Sequence, residues 1–439
     1  MTQTNPVATP TPELARGDLI DELLAILPGD ALDVIRAARP EARRNAQLSY
    51  EALLHPADAS EASPVERHLV AQFVTGISRE PRLTDWYRAG SGQPALAAEI
   101  DALIAEVLEA GTSGPVGHYR EPGLAAESTP GTTLTLGEDR ARRLGARLTA
   151  AIEHAHLLVF RPRESSPAAL QALLDAGWST TGVVTLSQLI AFTTFQLRLL
   201  FGLAALDGQP EPEAQVPEAI ALGDAGTVPG GEPAAITERV LEVPEIERPE
   251  RFTQESLGWV PWLAPLPEAE FEDRHWRGLV QPERAKMPYF ALLARDPEVL
   301  LARTRTDLDI FFNEDGGAPR AERELAAAAT SRLNGCVFCA SVHARAAAQL
   351  SGREAEVQRL LDEGVSASLD PRWDAVVAAS VALTETPTAF GAVEIAGLRA
   401  QGLDAAQIAD VVSGAAFFNW ANRLMLSLGE PRVPARRRP

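Results

Sequence analysis

Apolar residues recur at three- and four-residue spacings along most of this 439-residue chain, a pattern typical of amphipathic α-helices. A clear helix start stands at Ser63-Pro64, because serine can cap a helix and proline suits its first position. Residues 182–205 are apolar on all sides, which indicates a buried central helix. Strand-like alternation of apolar and polar residues is scarce. We therefore predict an all-α fold.

The other predicted helices show the same spacing and are bounded by Pro, Gly, Ser or Thr. A helix pair is expected within residues 18–38, divided at Pro28-Gly29, with Asp30 capping the second helix. Single helices are predicted at residues 41–54, 94–110, 138–156 and 166–176. Residues 111–137 are rich in Gly, Pro, Ser and Thr, which predicts a long loop that is either functional or mobile.

Two domains are predicted, because the chain is too long for one ordinary core. Residues 206–250 contain many Pro, Gly and Glu residues, which predicts a linker with some local structure from Ala234 to Leu241. Helical domains are expected on either side, at residues 14–205 and 251–430. Residues 252–290 carry an unusual number of aromatic side chains, which either pack in the core or line a substrate pocket.

The two predicted domains resemble each other in sequence. Residues 65–69 align with 321–325, and residues 191–199 align with 416–424. This predicts a tandem duplication of one helical unit rather than a solenoid, which needs about three repeats or more. The second copy carries chemically active side chains at Glu324, Cys336, Cys339 and His343, and the aligned residues of the first copy are His68, Glu80, Leu83 and Tyr87. The N-terminal copy lacks the thiols, and we expect it to fill a subunit position or to shape a pocket.

The formal net charge is −20, and Lys286 is the only lysine. This acidic balance argues against nucleic-acid binding, because phosphates require clustered cations. We expect no membrane-spanning helix, since no apolar run approaches the length that a bilayer requires. The segment from Met1 to Pro12 lacks the basic start and apolar core of a signal peptide. A soluble, cytoplasmic protein is therefore predicted.

The only two cysteines, Cys336 and Cys339, form a Cys-x-x-Cys pair, and His343 follows four residues later. In a cytoplasmic protein such a pair is more often catalytic or metal-binding than structural. Asn334-Gly335 is a helix stop signal, and Cys336 begins the next predicted helix. One or both thiols therefore lie near a helix N-terminus, which stabilises a thiolate. The cysteines and His343 share one face of that helix.

This set provides what dithiol chemistry requires: one thiol ionises and attacks, the second resolves the intermediate as a disulfide, and a base moves the protons. We expect His343 to accept the Cys339 proton or to bond it, and Glu324 on the preceding helix to reach the same point. The alternatives are an inert buried pair or a zinc site, although structural zinc needs four ligands and usually two such pairs. His154 and His156 are another candidate metal pair, but residues two apart point to different sides of a helix.

The spacing Glu-x11-Cys-x2-Cys-x3-His from Glu324 to His343 resembles the motif of the alkylhydroperoxidase D-like branch of the carboxymuconolactone decarboxylase superfamily. Residues 321–343 and Asn422-Arg423 look especially like its peroxidase-related subgroup. The resemblance covers residues 285–430, and the N-terminal half is similar to a degenerate copy. It implies two tandem alkylhydroperoxidase D-like helical bundles and a homo-oligomer of chains, with a trimer favoured.

The resemblance also implies the roles of the site residues. Cys339 would attack a peroxide and pass through sulfenic acid, and Cys336 would be the resolving partner and proton donor. Glu324 and His343 would form the proton relay. Phe338 stands between the cysteines, where some members have a histidine, so one relay residue is missing. The implied partners are an organic hydroperoxide and a thiol or dithiol electron donor; no metal or cofactor is implied beyond a redox-active Cys336–Cys339 disulfide.

Three functions from different classes are compatible with these residues. The leading hypothesis is a thiol-dependent hydroperoxide reductase, a peroxidase of antioxidant type. The second is a carboxymuconolactone decarboxylase-like enzyme acting on a lactone or another small molecule, whose turnover would survive Cys339→Ser. The third is a non-enzymatic redox-sensing scaffold, whose oligomer size would change on oxidation without consumption of peroxide.

Overall fold

Helices account for nearly all regular structure in the computed structural model, which describes residues 17–210, 238–243 and 246–435. This confirms the predicted all-α class. The N-terminal part contains α1 (Leu19–Leu23), α2 (Ala31–Ala37), α3 (Pro40–Leu54), α4 (Pro64–Ile77), α5 (Pro81–Gly90), α6 (Pro94–Glu109), α7 (Glu138–Leu144), α8 (Ala146–Phe160), α9 (Pro167–Asp175) and α10 (Thr180–Leu206). The C-terminal part contains α11 (Asp273–Leu279), α12 (Pro288–Leu293), α13 (Pro297–Phe312), α14 (Arg320–Asn334), α15 (Val337–Ser351), α16 (Glu354–Glu363), α17 (Pro371–Thr384), α18 (Ala392–Ala400) and α19 (Ala405–Leu428). Short 3-10 helices lie at Pro122–Glu127, Pro162–Glu164, Glu268–Glu270 and Pro282–Lys286.

Helix boundaries follow the local sequence signals, with two exceptions. Ser63 caps α4 as predicted: its hydroxyl accepts the Glu66 backbone N–H at 3.2 Å, and the Glu66 carboxylate accepts the Ser63 N–H at 2.8 Å. Asp30 precedes α2 but makes no side-chain cap bond to it. The prediction of one helix over 138–156 was wrong. Gly145 has a φ of 79°, and this left-handed backbone ends α7 before α8 begins.

One short antiparallel sheet was not predicted. Its strands are β1 (Gly258–Pro261) and β2 (Gly429–Arg432), and Gly258 lies opposite Arg432. Just beyond β1, the Trp262 backbone N–H donates to the Leu428 carbonyl at 2.9 Å. The sheet thereby joins the segment that precedes α11 to the end of α19.

Three of the seven Phe, Trp and Tyr side chains of residues 252–290 are buried in the core, and the other four are half-buried against it. Phe252, Trp259 and Trp262 are buried, and the Trp259 indole N–H donates to the Met425 carbonyl at 3.1 Å. Of the two alternatives for these residues, core packing accounts for these three side chains. Trp259 also lines a small cavity beside Cys336.

The predicted linker, residues 206–250, falls mostly outside the described residues. Local structure was expected at residues 234–241. Of these, residues 234–237 lie outside the described residues, and residues 238–241 form neither helix nor strand. The Leu241 backbone N–H donates to the Trp262 carbonyl at 2.7 Å. This end of the linker therefore runs against the C-terminal part of the chain.

The N- and C-terminal parts pack through helices that occupy matching places in the sequence alignment, α10 against α19 and α3 against α13. The Phe195 ring stacks on Trp420 with centroids 5.6 Å apart. Next to this pair, the Thr194 hydroxyl and the Asn419 carbonyl, 225 residues apart, are 3.4 Å from each other. Both pairs join positions that align with each other in the two halves of the sequence. Residues that contact their own counterparts are typical of an isologous, two-fold interface.

Two buried arginines make reciprocal contacts across this interface. Arg198 on α10 donates to the carbonyl of Thr384 at the end of α17, at 2.8 Å. Its aligned counterpart, Arg423 on α19, donates to the carbonyl of Val159 near the end of α8, at 3.2 Å. Each guanidinium satisfies backbone carbonyls that the end of a helix leaves without intrahelical partners. The C-termini of α8 and α17 are therefore tied to the opposite half.

Helix α10 contradicts the expectation that no apolar run is long enough to span a membrane. In the described part of the chain it is the one helix long and apolar enough to span a membrane, yet 89% of its apolar window is buried inside the protein. The core helix of a water-soluble protein has the same length and composition. The position of α10 between both halves agrees with the predicted buried central helix.

Candidate active site

The Cys-x-x-Cys pair is positioned by a sharp turn between α14 and α15. Gly335 ends α14 with a φ of 81°, a left-handed conformation that glycine adopts without strain. Cys336 is the N-cap residue of α15, and Cys339 lies in its first turn. The Cys336 backbone N–H donates to the Ser331 carbonyl at 2.9 Å. The structure thus confirms that the predicted stop signal brings the thiols to a helix N-terminus.

A buried asparagine pair holds this turn against α19. Asn334 donates from Nδ2 to Asn422 Oδ1 at 3.0 Å, and Asn422 donates from Nδ2 to the Ser331 hydroxyl at 3.0 Å. All three residues are buried. Buried amide networks of this kind fix one geometry, because a shifted register would leave polar groups without partners. Asn422 therefore acts on the dithiol through the backbone that carries it.

The two thiols are free and buried, with 2% of Cys336 and 5% of Cys339 exposed. Burial raises the pKa of Cys336 well above its ordinary value, and the Cys339 sulfur beside it raises that pKa further. The Cys336 sulfur consequently keeps its proton at neutral pH. At Cys336, burial therefore outweighs the stabilisation of a thiolate expected at the helix N-terminus.

His343 and Glu324 form the second part of the site. His343 Nδ1 lies 2.5 Å from Glu324 Oε2, and Arg320 donates to Glu324 Oε1 at 3.0 Å. Burial raises the pKa of Glu324, but the hydrogen bonds and charges of His343 and Arg320 outweigh it, so that the pKa lies below its ordinary value. Among the described residues, His343 makes its side-chain hydrogen bond to Glu324 and none to Cys339. Its ring meets Phe418 edge-on at 4.0 Å.

Three residues near the site were missed from the sequence. Asp307 and Arg303 lie one turn apart on α13, and Tyr289 lies on α12. Burial raises the pKa of Asp307, while the charges of Arg303 and His343 lower it. Burial also raises the pKa of Tyr289, whose surroundings include Arg303, Cys339, Asp307 and Cys336. No motif marks these residues, because only the fold of α12 and α13 brings them to the dithiol.

The N-terminal half contributes to the surroundings of Cys336. A cavity of about 10 Å³ beside this thiol is lined by residues that include Glu121 of the predicted 111–137 loop and Arg163. Arg163 donates to the Leu333 carbonyl at 2.6 Å. A Cβ added to Gly335 would come within 3.0 Å of Arg163 Nε. The loop and Arg163 therefore close over the turn that carries the dithiol, and the volume is near the lower limit for one water.

Side chains of the N-terminal core occupy the positions aligned with Glu324 and His343, while Glu80, in the place of Cys336, forms an ion pair with Arg82 at 2.8 Å. The Nδ1 of His68, in the place of Glu324, lies 2.8 Å from the Pro64 carbonyl. The hydroxyl of Tyr87, in the place of His343, donates to the Gln196 side chain. Trp86 donates to the Tyr50 hydroxyl at 2.9 Å. These contacts stabilise the core of the N-terminal half.

Neither histidine of the pair His154 and His156 lies at the dithiol. Both are buried on α8, and burial lowers the pKa of each to about 4. Neither ring nitrogen of His154 has a hydrogen-bond partner in the described structure. Over the described ranges, no three His, Cys, Asp or Glu side chains are grouped as a metal ion would need.

Residues 297–382 match the model of the carboxymuconolactone decarboxylase family. The match runs from the start of α13 into α17 and includes Glu324, both cysteines and His343. It confirms the predicted similarity to this family for that segment, and it supports a peroxidase- or decarboxylase-like role in general. No curated protein sequence matches the chain.

Proposed function

We propose that the protein is a thiol-dependent hydroperoxide reductase that uses Cys339 and Cys336 as a catalytic dithiol. One observation carries this proposal: two free, buried thiols at the N-terminus of α15 lie on the helix face that also bears His343, which is bonded to Glu324. This is the set of groups that peroxide reduction requires. The match of residues 297–382 to the family supports it further.

The proposed reaction starts at Cys339. Its thiolate attacks the terminal oxygen of a hydroperoxide, an S–O bond forms, the O–O bond breaks, and the alkoxide leaves as an alcohol after taking a proton. Cys336 then attacks the sulfur of the sulfenic acid, and an S–S bond replaces the S–O bond as water leaves. The two thiol protons end on the alcohol and the water. An external dithiol supplies two electrons to reduce the disulfide.

The proton relay follows from the orientation of His343. Because Nδ1 faces Glu324 at 2.5 Å, Nε2 is the nitrogen that exchanges a proton with the thiol or the departing oxygen. The Glu324 carboxylate, whose pKa lies below its ordinary value, stabilises the imidazolium that forms. Arg320 in turn orients Glu324 through its bond to Oε1.

The N-terminal half belongs to the same proposal as a degenerate copy of the C-terminal unit, with residues 14–205 and 251–430 as the two domains. The contacts of α10 with α19 and the reciprocal arginines support this reading. Two such units in one chain would pack against each other as two separate units do across a two-fold axis. A trimer of chains would then contain six units. Light scattering tests this assembly; a monomeric mass would contradict it. We also place the protein in the cytoplasm, where reduced thiols persist.

A decarboxylase-like activity is the second candidate, favoured by the family whose model residues 297–382 match. In that case the dithiol would be dispensable for turnover. Replacement of Cys339 separates the two candidates, because peroxide reduction ends without the attacking thiol and lactone decarboxylation survives.

The test measures consumption of cumene hydroperoxide with dithiothreitol as the electron donor, for the wild type, Cys339→Ser and Cys336→Ser. We expect the wild type to turn over and Cys339→Ser to consume none. When peroxide is added to reduced Cys336→Ser without dithiothreitol, the reaction should stop at a sulfenic acid that a dimedone probe labels. Wild-type protein that consumes no peroxide, while two thiols still titrate, would refute the proposal. If oxidation then changes oligomer size, the redox-sensing scaffold is the remaining reading.

A further inference from the structure

A second and much larger cavity lies between the two halves. Its volume is about 590 Å³, within the range of roughly 300–1,000 Å³ typical of small-molecule sites. Its walls come from α3 and the segment before α4 on one side, and from α11 and α13 on the other. Neither cysteine lines this cavity, and neither do His343 and Glu324. The proposed peroxide reduction does not use this cavity.

The charges on the two walls have opposite sign. This holds for their net charge. On the N-terminal wall Glu51, Asp58 and Glu61 outnumber Arg67, and on the facing C-terminal wall Arg274, Arg295 and Arg305 outnumber Asp296 and Glu298. The hydrogen bonds of these side chains are made to other residues. Asp58 accepts the Ser60 backbone N–H at 2.9 Å, Glu61 accepts the Ser179 hydroxyl, and Arg274 donates to Glu272 at 3.2 Å.

Arg295 donates to the Ala264 carbonyl at 2.9 Å and to the Thr181 hydroxyl at 3.2 Å. Arg305 makes no hydrogen bond or ion pair with any residue in the described ranges. No ion pair joins these arginines to Asp58 or Glu61 within the described part of the chain. The opposite charges line one cavity without pairing directly, so a molecule bound in it can meet both.

Buried polar groups give the cavity a defined interior. Arg67 is 3% exposed, and it is held by the carbonyls of Leu53 at 2.6 Å and Ala62 at 2.8 Å. His275 is 6% exposed, and its Nδ1 accepts the Glu272 backbone N–H at 2.8 Å. This bond fixes the tautomer, so that His275 presents Nε2 as a donor. Rigid, partly desolvated donors of this kind distinguish a binding site from a solvent-filled cleft.

The corresponding place on the other side of the molecule is closed. There Arg39 and Asp410 form an ion pair with a 2.8 Å contact, and only about 40 Å³ is left between the halves. By the sequence alignment, Arg295 and Thr185 stand where Arg39 and Asp410 do. The Thr185 hydroxyl donates to Asp296 at 2.8 Å, and Arg295 donates to the Thr181 hydroxyl instead. The same helix pairing thus gives a closed contact on one side and a charged cavity on the other. The large cavity is therefore not a necessary result of how the helices pack.

We propose that this cavity binds a small linear zwitterion, with a carboxylate at one end against the arginine wall and an ammonium at the other against Asp58 and Glu61. A simple anion would leave the acidic wall unpaired, and a simple cation would leave the arginines unpaired. A molecule that bears both charges satisfies both walls at once, and charge-assisted hydrogen bonds supply most of the affinity. The proposal does not depend on the peroxidase function.

The test is calorimetric titration of the full-length protein with three compounds of equal chain length: 6-aminohexanoate, hexanoate and hexylamine. We expect 6-aminohexanoate to bind about tenfold more tightly than either singly charged compound, as for the loss of one paired charge. The decisive variant is Arg305→Met, which keeps most of the side-chain length and removes the charge. Its affinity for 6-aminohexanoate should fall about tenfold, with peroxide turnover unchanged.

The matched control is Arg277→Met, because Arg277 is exposed on α11 and does not line the cavity. It should bind 6-aminohexanoate as the wild type does. Thermal melts confirm that both variants are folded. The proposal is overturned if 6-aminohexanoate fails to bind at tens of millimolar, if hexanoate or hexylamine binds as tightly, or if the two variants respond alike.

Discussion

The dithiol site and its aligned region in the N-terminal half use the same helical framework for different purposes. In the C-terminal half, Glu324 and His343 form an ionisable pair 2.5 Å apart beside two thiols. In the N-terminal half, His68 and Tyr87 occupy those positions and bond to a backbone carbonyl and to the neutral side chain of Gln196. The comparison separates what the fold requires from what the chemistry requires. The fold needs buried groups with satisfied hydrogen bonds, whereas the chemistry needs groups that exchange protons.

The largest expected effect sets the two regions directly against each other. Glu324→Gln removes the carboxylate that stabilises the His343 imidazolium, and we expect kcat/KM for peroxide to fall about 100- to 1,000-fold. His68→Gln at the aligned position should leave kcat/KM unchanged once folded protein is compared, since it lies outside the proposed relay. Steady-state peroxide consumption measures both, with circular dichroism as the control for folding. An equal loss in both variants would mean that the two regions act as one site.

The next effect concerns acid stability, which the comparison assigns to the N-terminal half. The pKa values of His154 and His156 are about 4 in the folded protein, against about 6.5 when unfolded. The neutral form is therefore favoured by folding, and this stability is complete above pH 6.5. As the pH falls from 6.5 to 4, the histidines take up protons in the unfolded chain before they do so in the folded one. Each histidine thereby lowers the free energy of unfolding by about 3 kcal/mol.

The aligned C-terminal residues are Ala379 and Val381, which do not titrate. The double variant His154→Ala, His156→Val should therefore flatten the loss of stability between pH 6.5 and 4, whatever its stability at neutral pH. Urea unfolding at several pH values gives the slope. A slope equal to that of the wild type would assign the acid sensitivity to other groups.

The smallest effect tests whether the N-terminal region is structural. Tyr87→Phe removes the hydroxyl that donates to Gln196 and leaves a buried amide oxygen without this donor, which should cost about 1–3 kcal/mol of unfolding free energy. Peroxide turnover should not change. Urea unfolding together with the peroxide assay distinguishes the two outcomes, and a loss of turnover at full stability would show that Tyr87 takes part in the chemistry.

Local signals in the sequence were sufficient for the central part of the site. Asn334-Gly335 marks the end of α14, and helical spacing places Cys336, Cys339 and His343 on one face. Glu324 could be expected nearby because a sharp turn between two helices brings their facing side chains together. Each of these inferences depends on a few neighbouring residues and on backbone rules that hold in any protein.

The features that were missed depend on contacts between distant segments. Strands β1 and β2 are four residues each and pair only because the chain returns after α19. Arg303 and Tyr289 carry no motif, and only the packing of α12 and α13 brings them to the thiols. The break at Gly145 was missed because a glycine can also be tolerated inside a helix, at a cost of about 1 kcal/mol. The cavity between the halves requires the relative placement of both.

The reciprocal bonds of Arg198 and Arg423 have a consequence for how the protein responds to dilution. Each arginine finds its carbonyl acceptors in the opposite half. If the halves were separate polypeptides, this interface would form only above a concentration set by its dissociation constant. Joined in one chain, the halves meet at an effective concentration that the linker fixes. The surroundings of Cys336, to which both halves contribute, are thus complete even when the protein is scarce.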